Sequence, residues 1–149
     1  MCYALLLSTT SGDDLTQYNT EALWFDKTIP DILSTHDLLY PNQWYVRSRT
    51  GCSCSFRHLY GPQFEFGFPE DWFPEEKSDI EATLMFIRLV RSLLSKGACV
   101  DCIDLWAGSA AENVDAPLLS VNLAQIRDEQ FRFFENHHFD FILGKAENV

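Results

Sequence analysis

The stretch Arg47-Ser48-Arg49-Thr50-Gly51-Cys52-Ser53-Cys54-Ser55-Phe56-Arg57-His58 gathers three arginines, two cysteines and a histidine in an otherwise acidic chain. No Asp or Glu occurs from Leu38 to Phe64, although the chain carries 22 acids against 11 bases. A guanidinium beside a thiol favours the thiolate, so Cys52 and Cys54 are candidate nucleophiles or redox groups. Arg47, Arg49, Arg57 and His58 would form the binding surface around them, equally suited to an anion such as phosphate. With a two-residue turn at Thr50-Gly51, a hairpin places Arg49 opposite Cys52, Arg47 opposite Cys54 and Tyr45 opposite Phe56. A turn longer by one residue breaks that opposition. The competing reading is that both thiols pack as small apolar groups, free cysteine being among the most buried residue types.

Other chemistry is harder to build. Cys52, Cys54, Cys99 and Cys102 are zinc-type ligands, but their spacing is not that of a zinc knuckle. On strands flanking a common neighbour, the two pairs would stand two strand spacings apart, about 9.5 Å. That is too wide for four sulfurs at ~2.3 Å from one ion, and too wide for a disulfide between the pairs. No metal site is therefore expected. Cys99-Val100-Asp101-Cys102 has thioredoxin spacing, yet a helix ends before it and a strand follows, so no helix N-terminus activates it. On a strand, residues three apart face opposite ways, which separates Cys99 from Cys102 and Asp101 from Asp104. Cys54 and His58, if both lie on one strand, stand about 13 Å apart. His137-His138 reads as a solvated turn more readily than as a metal site. No nucleophile elbow, phosphate-cradling glycine loop, H-E-x-x-H or calcium loop occurs, and no cofactor is implied.

These residues need elements to hold them. Tyr3–Thr9 reads as a buried central strand, 13–19 as a short helix, and 22–29 as an extended segment. Residues 44–49 and 52–59 form the proposed hairpin. Ser78–Lys96 is the clearest element. Ser78-Asp79-Ile80-Glu81 has the form of a capping box, and Ile80, Leu84, Ile87, Val90 and Leu94 recur at helical spacing, widened by Phe86, Leu89 and Leu93. Lys96-Gly97 supplies a terminal cation and a C′ glycine. Strands follow at 99–106 and 118–124, then a helix at 128–136 with Phe131 and Phe134 inward, then a strand carrying Phe139, Phe141 and Leu143. The expectation is an α+β protein with a mixed or antiparallel sheet, one long amphipathic helix (78–96) and shorter helices. The order is compatible with a βαββαβ ferredoxin-like core bearing a C-terminal extension.

Composition bounds the function. The 149 residues suit one globular domain, 1–149, with 46% hydrophobic and 22% charged residues, values of a folded soluble protein. A net charge of −11 argues against nucleic acid and against anionic membranes. No apolar run approaches the ~20 residues of a spanning helix, and the N-terminus lacks the charge and cleavage pattern of a signal peptide. Five cysteines, an odd number, read as reduced thiols in a cytoplasmic protein. Residues 61–76 interleave Phe64, Phe66, Phe68, Trp72 and Phe73 with five acids, and 63–68 could form an edge strand. Aromatics anchor interfaces and acids steer basic partners. The expected function is thus that of a small acidic binding or regulatory protein sooner than that of an enzyme, meeting a basic protein partner through Phe64, Phe66, Trp72 and Phe73. The alternative is a thiol or anion site on the 47–58 hairpin. The sequence leaves oligomeric state open.

Overall fold

The computed structural model describes residues 3–30, 33, 37–59, 65–68, 74–106 and 116–144. Among these residues, eight strands and one α-helix follow in the order β1 (Tyr3–Thr9), β2 (Trp24–Asp26), β3 (Asn42–Arg47), β4 (His58–Leu59), α1 (Lys77–Ser95), β5 (Val100–Trp106), β6 (Leu118–Asn122), β7 (Phe133–Phe134) and β8 (His137–Ile142). Six strands make a mixed sheet of order β2-β3-β1-β5-β8-β6, and β4 pairs with β7 in a separate two-stranded parallel ribbon. Every pairing in the large sheet is antiparallel except β6 with β8.

β1 is central because its apolar residues serve both faces. Leu5 and Leu7 join the core under α1, while Ala4 and Leu6 join a second cluster with Leu33, Leu38, Ile103 and Leu105. A strand covered on both sides reads as a continuous apolar run, which is the pattern of residues 3–7. The α1 face also takes Trp44 and Val46 from β3, Val100 and Cys102 from β5, and Phe139 and Phe141 from β8.

The helix lies close to its expected limits, but its buried stripe is rotated. Ala82, Thr83, Phe86, Ile87, Leu89, Val90 and Leu93 are buried, whereas Ile80, Leu84 and Leu94 are only partly covered. Its end is as read: Gly97 has φ 93°, its amide donates to Leu94 O, and Ala98 N donates to Leu93 O, a Schellman closure. Its start is not. Glu76 is the N-cap, without a side-chain cap bond, so the Ser78–Glu81 box does not form.

Other expectations are corrected. Residues 15–18 make a single 3-10 turn capped by Asp14, and Asp128–Gln130 make another. The helix expected over 128–136 fails because Phe131, Arg132, Phe133 and Phe134 are all buried, which one helix face cannot achieve. The 47–58 hairpin also fails. Only His58–Leu59 of the expected second strand is extended, and it pairs with β7 rather than β3. The buried Ser53 hydroxyl replaces a strand there, accepting from Leu5 N at 3.0 Å and donating to Val46 O. With one α-helix and this strand order, the arrangement does not confirm a ferredoxin-like core. Residues 65–68 are not a strand; the rest of the expected 63–68 edge lies outside the described residues.

Candidate functional site

The arginine island is neutralised from elsewhere in the chain. Arg47 meets Asp26 at 3.1 Å across the β2–β3 pair, Arg49 pairs with Glu21, and both guanidinia lie about 6 Å from the Trp24 ring. Their counter-charges come from 21–26, which a local reading of 38–64 does not see. Cys52 and Cys54 are half-buried, and Cys54 Sγ accepts the Tyr3 amide at 3.3 Å. Neither thiol stands opposite Arg47, whose partner across the ladder is Trp24. Cys99 is exposed and Cys102 buried, in keeping with their opposite faces. Burial first, then the charges of Asp104 and Asp101, push the Cys102 thiol well above its ordinary value.

The side chains of Arg57 and His58 are largely buried. Arg57 is buried in an ion cluster, its guanidinium pairing with Glu75, which also takes Arg132 at 2.8 Å. Arg57 donates further to the carbonyls of Glu129, Phe131 and Gly67, and Arg132 to that of Phe68 at 2.7 Å. Two arginines and one glutamate therefore fasten residues 67 and 68 to the segment that leads into β7. The His58 ring stacks on Tyr3 at 3.9 Å and is almost wholly enclosed. Its Nδ1 lies 2.8 Å from Asp104 Oδ2 and its Nε2 2.6 Å from Ser53 O. A carbonyl can only accept, so Nε2 carries a hydrogen and the pair shares a further proton between Nδ1 and Asp104. Burial pulls the imidazole down, but the Asp104 charge and its hydrogen bond outweigh this and raise the His58 value. Burial also raises Asp104, partly opposed by His58.

A second histidine–aspartate pair lies on the other face of β5. His138 Nε2 stands 2.6 Å from Asp101 Oδ2, which also accepts Leu39 N at 2.9 Å, while Ser8 donates to Asp101 Oδ1. The order is serine–aspartate–histidine, with the carboxylate in the middle. The hydroxyl thus faces a carboxylate and not an imidazole, so the trio does not have the serine–histidine–aspartate order of a nucleophilic triad. It ties the chain near Tyr40, whose amide donates to Ser8, onto the sheet. Sequence reading separated Asp101 from Asp104 correctly but missed both histidine partners, which are 37 and 46 residues away.

Among the described loop residues, Phe66 stacks on Phe131 and Phe134 at 5.4 and 5.0 Å. With Glu65, Leu119, Ile126 and Phe134 it lines a shallow, mainly apolar groove of about 360 Å³. The groove includes Leu119 of β6, one of the two edge strands of the six-stranded sheet, and Phe68 remains 46% exposed. Phe64, Trp72 and Phe73 lie outside the described residues. Among the described residues no group of three or more His, Cys, Asp and Glu could hold a metal ion, and no helix is long and apolar enough to cross a membrane. No known protein family, curated protein or solved structure matches the chain.

Proposed function

We propose that this is a binding protein that takes a basic partner segment on the surface where Glu65 and Phe66 of the acidic–aromatic loop meet β6, an edge strand of the sheet. The observation that carries this reading is the apolar groove of Phe66, Leu119, Ile126 and Phe134, rimmed by Glu65 and bordered by β6. An edge strand offers unpaired backbone groups to an incoming chain, and a neighbouring apolar groove offers side-chain pockets. Arg57, Arg132 and Glu75 support the reading by fixing residues 67 and 68 from beneath, so the surface is preorganised. The chain's net charge of −11 favours a partner rich in Lys and Arg.

Selection from a random-peptide display library tests this. Enriched peptides should carry Lys or Arg beside apolar residues, and should lose binding to Leu119→Ser and Ile126→Ser proteins that still melt cooperatively. No enrichment, or enriched peptides that bind those variants as well as the parent, would end the proposal. The thiol reading keeps one support, the Tyr3 amide directed at Cys54 Sγ, since hydrogen bonding to sulfur favours the thiolate. Its anion version draws no help from Arg47 and Arg49, whose charges already meet Asp26 and Glu21.

A further inference from the structure

The six-stranded sheet ends in β2 on one side and β6 on the other, and the two edges are finished differently. On β2 the outward main-chain groups of Phe25 are both taken by the Asn19 side chain. Phe25 N donates to Asn19 Oδ1 at 2.7 Å, and Asn19 Nδ2 donates to Phe25 O at 3.3 Å. That amide stands where a further strand would pair, so the edge is closed. The β6 edge has no such cover among the described residues. His138 N donates to Pro117 O and Leu123 N to Ile142 O, so in this parallel ladder the odd-numbered residues turn their main chain toward β8. Leu118 and Ser120 turn theirs outward, and no described residue meets their N–H or C=O groups. Asn122 is occupied by the turn that follows, its carbonyl accepting Gln125 N and its side-chain oxygen accepting Ala124 N and Gly144 N. The open stretch is therefore Leu118 to Ser120, with both end residues exposed, Leu118 by 60%.

We infer, resting on the partner-binding reading above, that the basic segment binds in extended form as a strand added to β6, its main chain bonded to Leu118 and Ser120 and the side chain opposite Leu119 seated in the groove. Residues directly opposite on neighbouring strands share a face, so that side chain lies beside Leu119, over Phe66, Ile126 and Phe134. Its two neighbours in the segment turn to the other face, beside the exposed Leu118 and Ser120. A helix in the groove would satisfy its own backbone and leave the outward groups of β6 without partners, which favours the strand. The segment recognised is one that alternates. An apolar residue fills the groove, and a Lys or Arg two positions away lies on the same face, where Glu65 rims the groove. A second copy of the chain suits the edge less well, because two chains of net charge −11 repel each other.

The probe is the tightest peptide from the display selection described above, bound to the full chain. N-methylation of the peptide at each position in turn should weaken binding with a period of two, by at least about tenfold where the N–H faces β6. Ser120→Pro should weaken it comparably, because proline removes an outward N–H that the β8 ladder does not use and is tolerated on an edge strand. Ser120→Ala should bind like the parent. In the free chain the amides of Leu118 and Ser120 should exchange hydrogen faster than those of Leu119 and Val121, and slow when the peptide is added. Strand addition is overturned, with the groove reading left standing, if a peptide that loses binding to Leu119→Ser shows no alternation in the methylation scan or binds a cooperatively melting Ser120→Pro as well as the parent. It is overturned equally if the Leu118 and Ser120 amides are already protected in the free chain, by its own residues in a monomer or by a second copy in a dimer. No enriched peptide at all would end both readings.

Discussion

His58 is the residue whose environment departs furthest from what its neighbours in sequence suggest. It follows three arginines, yet its charge is governed by Asp104, with Asp79 adding to the pull. Because its folded value is raised above the ordinary 6.5, its stabilising contribution is complete below that value. It is lost as pH rises through the folded value, since the unfolded chain releases its proton first. Thermal melts from about pH 6 to about pH 9 should therefore show falling stability, and His58→Gln should be less stable at neutral pH with a flatter profile. An identical slope in the variant would place the titration on another group. The cysteines give a second test at this scale. Iodoacetamide read by mass spectrometry should label Cys99 before Cys52 and Cys54, and Cys102 only after denaturant, because exposure and thiolate character both control the rate. If Cys54 outruns Cys99 at neutral pH, the thiol reading gains over the partner-binding one.

Single elements show why pattern reading went part of the way. Helical periodicity located α1 within one residue at each end and found the buried Phe86, Ile87, Leu89, Val90 and Leu93, yet it also put Ile80, Leu84 and Leu94, which are only partly covered, in the apolar stripe. The true centre includes Ala82 and Thr83, whose burial is decided by what lies across from them: Thr83 accepts the Arg57 amide at 2.9 Å. Phe86→Ala should cost about 3–5 kcal/mol and Leu84→Ala clearly less, measured by urea unfolding. Equal losses would mean that the helix is rotated toward the first reading. The loop anchor belongs to this scale too. Glu75→Gln leaves two buried guanidinia with a weaker partner, so a loss of about 3 kcal/mol or more is expected. Hydrogen exchange should quicken at Gly67, whose amide donates to Gln130 O. The 47–58 hairpin and the 128–136 helix were illegible for one reason: a side chain, Ser53 in one case and a run of buried phenylalanines in the other, overrode local propensity from a distance.

Across the whole molecule, the α+β class and the central strand could be read from sequence, because they rest on long apolar runs. The candidate sites could not. The arginine island looked like a reactive centre only while Glu21, Asp26 and Glu75 were assumed to be elsewhere. Charge complementarity between distant segments leaves no periodic trace, and three of the proposed aromatic anchors lie outside the described residues.

The place of β1 also bears on how the chain comes together in time. Leu7 pairs with Trp44, 37 residues later, and with Cys102, 95 residues later. During synthesis β1 emerges ahead of both its partners and waits for them while α1, which covers it, is still unmade. Contacts so distant along the chain close slowly, and an apolar strand without neighbours is open to pairing with a second chain. Holding nascent chains apart therefore matters most before residue 106 is free to fold back, and truncated products ending ahead of β5 should be the ones that aggregate.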